Sequence, residues 1–253
     1  GEWSYLVQTS INNSGANDVI ILSNSTYYEN IVVIKEGITL QGPSPHHNNP
    51  GVIIDAQDTG CALTITKSGT YILGLSIINS FEWDDPFNSS GIRVLSDNNE
   101  IKYNKVTESY VGILLESADN NEVYGNEIDD VDIGILITKS DDNTIDSNEI
   151  IDSDVDIQVT SFGYSSGSKN NHFAHNSGVE LIEFTDSDSN SLKDQEVGTY
   201  DLENSKRISV YRSSYDYVIC DSDSSLYLRN WINIEVSRED SPLSGVDIKV
   251  WEG

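Results

Sequence analysis

From residue 91 to residue 155 the hydrophobic and polar positions of this chain repeat in three lines. Residues 91–111 read GIRVLSDNNEIKYNKVTESYV, 112–133 read GILLESADNNEVYGNEIDDVDI, and 134–155 read GILITKSDDNTIDSNEIIDSDV. Ile92, Ile113 and Ile135 align, as do Val94, Leu115 and Ile137. Ile101, Val123 and Ile145 follow, then Val106, Ile128 and Ile150. Inside each short run apolar residues alternate with others, which is the period of a strand and not of a helix. A repeat of about 22 residues carrying three short strands is one coil of a solenoid, and a coil buries its apolar side chains only by stacking on its neighbours. The predicted fold is all-β: a right-handed, single-stranded parallel β-helix with capped ends. Each strand lies ~4.8 Å above its equivalent in the coil below. The solenoid is expected over residues 18–206. A cap segment, 1–17, precedes it, and closing coils or a cap, 207–253, follow.

A second periodicity runs through the polar positions. Asn104, Asn126 and Asn148 align, each three residues after an inward aliphatic, and Asn176 falls in the same column. A turn asparagine pointing inward can bond its amide to the asparagines above and below, and a buried amide requires such partners. The alternative is that asparagine merely tolerates the left-handed turn conformation.

The opening strands carry a family resemblance. Asp18-Val19-Ile20-Ile21-Leu22, Thr26-Tyr27-Tyr28-Glu29-Asn30-Ile31, Gly37-Ile38-Thr39-Leu40-Gln41-Gly42 and Val52-Ile53-Ile54-Asp55-Ala56 resemble the start of NosD-like parallel β-helix proteins. Those proteins belong with the pectin-lyase-like fold. The likeness extends over roughly residues 18 to 176. It implies a bacterial or archaeal surface or periplasmic protein, and it speaks to structural positions more than to chemistry.

Composition narrows the setting. The chain has 253 residues and carries 42 acidic against 14 basic ones, a net charge of −28. Nucleic acid and anionic membranes both need clustered Lys and Arg, so neither is an expected partner. No apolar run reaches the ~18 residues needed to insert in a membrane. Methionine is absent even at position 1, and the chain is expected to begin inside a longer precursor, after a removed signal segment. Asn12, Asn24 and Asn88 each open an Asn-x-Ser/Thr triplet at a predicted turn, and mark candidate glycosylation sites of an extracellular protein. Cys61 and Cys220 are either one long-range disulfide or two thiols, and Cys61 reads as a small core residue.

Stacking converts the repeat into columns of like chemistry. Glu108, Asp130 and Asp152 share one column. Asp132 and Asp154 share the next but one, with Tyr110, and Asp97, Asp119 and Asp141 form another at a turn. Carboxylates so stacked repel by ~1 kcal/mol per pair in water. They are either a solvated acidic face or, at Glu108, Asp130, Asp132, Asp152 and Asp154, a candidate calcium site, since calcium takes six to eight oxygen ligands. The insertion NSFEWDDPFNSS at 79–90 brings Phe81, Trp83, Asp84, Asp85 and Phe87 to a loop. Aromatics there either stack on sugar rings or a partner protein, or fold back as a lid. His46 and His47 lack an evident third metal ligand. Arg93 is expected outward, in the column of Leu114, Leu136 and Gln158. The two leucines form an outward apolar strip, covered by an insertion or a C-terminal segment, or packed against another subunit. Residues 231–250 look like the first hairpin of a β-sandwich.

Relatives on this fold include pectate lyases and polygalacturonases. The Gly-His-Gly and Arg-x-Lys tripeptides of the latter are missing here, and no lysine or arginine sits in an acidic-basic constellation. The reading favoured by sequence is therefore a non-catalytic extracellular cell-envelope module, contacting polysaccharide or like subunits of a surface assembly. The alternative is a calcium-dependent polysaccharide lyase or glycoside hydrolase acting on acidic polysaccharide. A third reading, a NosD-like periplasmic metal-handling protein, is disfavoured, because there is no Met and only four His and two Cys could bind a soft metal.

Overall fold

A computed structural model describes residues 6–46, 51–81, 85–161 and 167–229. The 231–250 hairpin, His47, Trp83, Asp84 and residues 162–166 of the Ser/Gly-rich insertion lie outside the described residues.

The chain winds into a parallel β-solenoid. One face is a ten-stranded sheet running from Val19–Ile21 to Leu226–Arg229, and the second sheet has twelve strands. Every described strand pairing is parallel, and the pairings join equivalent strands of successive coils, as in Ile101↔Val123 and Val123↔Ile145. The inward aliphatic columns are fully buried, Ile92, Ile113 and Ile135 among them.

In the regular coils the second and third strands merge into one long strand: Lys105–Glu116, Glu127–Thr138 and Glu149–Thr160. Each bends at an acidic residue in the left-handed region, Glu108 (φ 54°), Asp130 (φ 55°) and Asp152 (φ 49°). Glycine opens the second half of the bend because the coils approach closely there. A Cβ on Gly112 would lie 2.6 Å from the carbonyl oxygen of Gly134, and one on Gly134 would lie 2.5 Å from that of Asp156.

The asparagine column is a buried ladder. The Asn104 amide nitrogen donates to Asn126 Oδ1 at 3.1 Å, Asn126 to Asn148 at 2.9 Å, and Asn148 to Asn176 at 3.0 Å. Each Oδ1 also accepts the backbone N–H of the asparagine in the preceding coil. Gln195 continues the column, accepting from Asn176 at 2.7 Å. A second ladder, unread in the sequence, joins Asn99, Asn121, Asn143, Asn171 and Asn190 in the same way.

Helix α1, Leu6–Asn13, lies against the first coil, where sequence reading had placed a cap segment without a helix. Val7 and Ile11, one turn apart, are fully buried. The Glu29 carboxylate accepts the free N–H groups of Val7 (3.0 Å) and Gln8 (2.9 Å) at the helix start. Gln8 imitates a neighbouring strand: its Oε1 accepts from Val32 N (2.7 Å) and its Nε2 donates to Val32 O (3.0 Å). That pairing covers an otherwise open sheet edge. Asn12, expected at a turn, instead sits in the last turn of this helix. Asn24 is exposed, and Asn88, also exposed, donates its amide to Asp85 at 2.6 Å.

Candidate functional site

The corner where the long strands bend forms one wall of a cleft of about 770 Å³. Glu108, Asp130, Asp132, Asp152 and Asp154 all line it, joined by Asp58 and Phe81 from earlier coils. The registers Ser109↔Val131 and Val131↔Ser153 put Glu108, Asp130 and Asp152 one above another, and set Tyr110, Asp132 and Asp154 in a parallel column. Alternation drives Ser109 and Val131 into the wall, where both are buried, and leaves the carboxylates outward. Phe81 packs edge-on to Tyr110, ring centroids 6.4 Å apart. The cleft thus combines an aromatic wall with a carboxylate floor. Asp58 and the Phe81–Tyr110 contact have no sequence signal, because loop lengths decide where 58 and 81 emerge.

Residues 85–90 of the insertion fold back over the solenoid. Phe87 packs on a second apolar cluster made of Val111, Leu114 and Leu136. Leu114 and Leu136 face outward as expected and are fully buried, covered by the insertion. Arg93 shares their column, ion-pairs with Glu116 at 2.6 Å and lies 5.9 Å from the Phe87 ring. The Asp85 carboxylate is spent within its own loop, accepting from Phe87 N (2.9 Å) and Asn88 Nδ2 (2.6 Å).

The third acidic column is structural. Asp97 Oδ1 accepts Asp119 N at 2.8 Å, Asp119 accepts Asp141 N at 2.7 Å, and Asp141 accepts Lys169 N at 2.7 Å. Burial pushes the Asp141 carboxyl above its ordinary value; the Lys169 N–H opposes this and the Asp119 charge adds to it. Cys61 and Cys220 are both free thiols. Cys61 is half-buried against the Phe87 carbonyl at 3.4 Å, and burial raises its pKa.

An all-β, right-handed parallel solenoid with internal amide ladders and an acidic corner cleft is a protein of the pectin-lyase-like class. Within that class the chain belongs to the NosD family, whose model, described as "Periplasmic copper-binding protein (NosD)", matches residues 7–216. No curated protein matches it in sequence. Among solved structures it is similar to an alginate lyase from Paenibacillus sp. str. FPU-7, with 10% identity, TM-score 0.57, and 87% of this chain aligned to 94% of the lyase. The catalytic domain of a GH87 alpha-1,3-glucanase in complex with nigerose aligns at 12% identity and TM-score 0.57, over 91% of this chain and 57% of that domain. Tailspike protein 2 of an Escherichia coli O157:H7 bacteriophage aligns at 10% identity and TM-score 0.54, over 88% of this chain and 40% of the tailspike. At such identities the likeness is one of fold.

The copper of the family description does not fit the donors described here. The chain has no methionine. His46 stacks edge-on to Tyr103, the His172 Nδ1 is 3.0 Å from Ser191 Oγ, and His175 lies between Asp146 (3.1 Å) and Asp194 (3.6 Å). Among the described residues no group of three or more His, Cys, Asp or Glu side chains is placed to hold a metal ion. Among the described residues no helix is long and apolar enough to cross a membrane.

Proposed function

We propose that this chain acts outside the cytoplasm on a polysaccharide laid in the acidic cleft, and hydrolyses its glycosidic bonds with carboxylates of neighbouring coils. The observation that carries this reading is the cleft itself, with six carboxylates and Phe81 converging from successive coils. A sugar ring offers an apolar face for an aromatic ring and hydroxyls for carboxylate acceptors. Hydrolysis needs one carboxyl as acid and a second as base or nucleophile. Positions one coil and two residues apart, such as Asp130 and Asp154, are ~8 Å apart from strand spacing and rise. Columns of this spacing can therefore supply a pair of carboxyl groups, one on either side of a glycosidic bond. A lyase needs a base beside the substrate, and among the described residues no Lys, Arg or His lines the cleft. Calcium enters this reading as an ion that neutralises the columns, and the hydrolytic roles do not require it. The alginate lyase, the glucanase and the fold they share with this chain support a carbohydrate role and leave the reaction to this argument.

One observation favours a non-catalytic module. Glu108, Asp130 and Asp152 occupy left-handed bends, where aspartate is tolerated for backbone reasons alone. Reducing-end release from a panel of polysaccharides separates the two readings. The wild-type chain releases ends from at least one glycan, and Asp154→Asn and Asp132→Asn reduce the rate by 10²-fold or more, the order expected for loss of an acid or base. Release unaffected by both substitutions, or none from any glycan, returns the cleft to a structural role.

A further inference from the structure

The same corner carries a second hollow, of about 430 Å³, in the coils that follow the acidic cleft. Its lining includes Val179, Glu180, Glu196, Gly198, Tyr215 and Asp216. The register is continuous: Glu149 bridges to Ser177, Gly198 N donates to Val179 O at 3.2 Å, and Val197 pairs with Tyr215. The coil-to-coil spacing along the amide column is 22 residues, widens to 28 between Asn148 and Asn176, and then narrows to 19 and 18, while the run from the column to the next inward aliphatic shortens from nine residues (Asn148 to Ile157) to six (Asn176 to Ile182). The residues lost come from the bend, so the floor steps down just past Asp154. Among the described residues neither hollow has a Lys, Arg or His in its lining. Tyr215 closes the base of the second hollow, its ring packed against Tyr200 with centroids 5.5 Å apart.

We propose that the two hollows are one groove, which holds an extended, uncharged polysaccharide parallel to the solenoid axis, with the second hollow as its distal subsite. This rests on the reading of the acidic cleft as a glycan site. The coils from Phe81 to Asp216 number seven by the strand order, so the groove is roughly 30 Å long at one strand spacing per coil. A small sugar covers a fraction of that length; a polymer covers it all. The charge decides the class of polymer. Each glycan carboxylate placed ~4 Å from one of these side chains meets ~1 kcal/mol of repulsion even at the dielectric of water, and each further sugar adds another. Uncharged sugars are free of that cost, and their hydroxyls supply the donors that carboxylates can accept.

The test is calorimetric titration of the wild-type chain and a Ser214→Trp variant with nigerose, with longer alpha-1,3-linked gluco-oligosaccharides, and with alginate oligosaccharides of matching lengths. Ser214 is exposed in the lining of the second hollow, so a tryptophan fills the hollow from outside. In the wild type, affinity for the neutral series rises with length by about tenfold or more, ~1.4 kcal/mol. In Ser214→Trp the long members bind only as well as short ones bind to the wild type, while nigerose binding stays the same and reports an intact fold and an intact acidic cleft. Alginate fragments bind more weakly at every length. Neutral binding that is independent of length, or a length gain that survives Ser214→Trp, overturns the distal subsite and leaves the acidic cleft standing. Tighter binding of the alginate series overturns the choice of an uncharged ligand. If no sugar of either series binds, the glycan reading of the acidic cleft falls, and this inference with it.

Discussion

Replacing Asn126 by alanine tests the internal ladder where its bonds can be counted. The Asn126 side chain donates to Ile101 O (2.9 Å) and to Asn148 Oδ1 (2.9 Å). Its Oδ1 accepts from Asn104 N (3.0 Å) and Asn104 Nδ2 (3.1 Å). Some partners keep a second bond: Asn104 Nδ2 still reaches Ile72 O, and Asn148 Oδ1 still accepts Asn126 N. The Asn104 backbone N–H and the Ile101 carbonyl are left without this partner in a fully buried place. Each buried group so orphaned costs ~1–3 kcal/mol, and a trapped water recovers part of that. The expected loss is ~3 kcal/mol, which is about 1 M in the urea midpoint at a slope of about 3 kcal/mol/M. Urea unfolding followed by circular dichroism measures it, with the exposed Glu149→Ala as control. Because repeat arrays lose stability locally, hydrogen exchange at Asn104 and Asn126 should rise before that of distant coils. An unchanged midpoint, or one shifted no more than the control, would refute the claim that the amide column holds the coils together.

Four other outcomes are expected. Glu108→Asn should stabilise the chain by ~0.5–1 kcal/mol, read as a higher urea midpoint, since asparagine accepts the left-handed bend better than glutamate does; a destabilised variant contradicts this. Glu29→Ala should loosen helix α1 by ~1–2 kcal/mol, seen as earlier proteolysis within residues 6–13, and equal protection would deny Glu29 its capping role. Asp201 has its carboxyl pKa raised above the ordinary 3.8 by burial and then by Glu183, Glu203 and Asp221. The folded chain therefore binds that proton more tightly than the unfolded one, so the contribution is fully present below pH 3.8 and is lost as pH rises through the folded pKa. Asp201→Asn should accordingly stabilise the chain at neutral pH and lose that advantage under acid; an advantage that grows on acidification reverses the sign. Calcium chloride and sodium chloride of equal ionic strength should raise the thermal midpoint equally, by screening the stacked carboxylates, whereas a gain specific to calcium and abolished by chelator would establish a bound ion.

The solenoid was legible because its coils repeat side by side in the sequence. Asn104, Asn126 and Asn148 aligned as written, and their bonds follow the spacing of 22. The second ladder was equally present in the letters, as Asn99, Asn121 and Asn143 two residues before each inward aliphatic. It went unread because asparagine beside aspartate reads as ordinary turn chemistry. Helix α1 escaped because eight residues with Val7 and Ile11 as their only buried positions give too short a pattern for a helical period. The acidic columns were readable as columns. What makes them a cleft, namely Asp58 and Phe81 arriving from other coils and a step where the bend shortens, depends on loop lengths that carry no periodic signal. The leucine strip was placed on the correct side, but its cover, Phe87, comes from an insertion outside the repeat.

The most direct measurement is a crystal structure of the Asp154→Asn chain soaked with a long alpha-1,3-linked gluco-oligosaccharide. The account predicts successive sugar rings along the bend, one face against Phe81 and the hydroxyls on Glu108, Asp130 and Asp132, running parallel to the stack of coils. Sugar bound on the ten-stranded face, or lying across the coils and away from that bend, would contradict it.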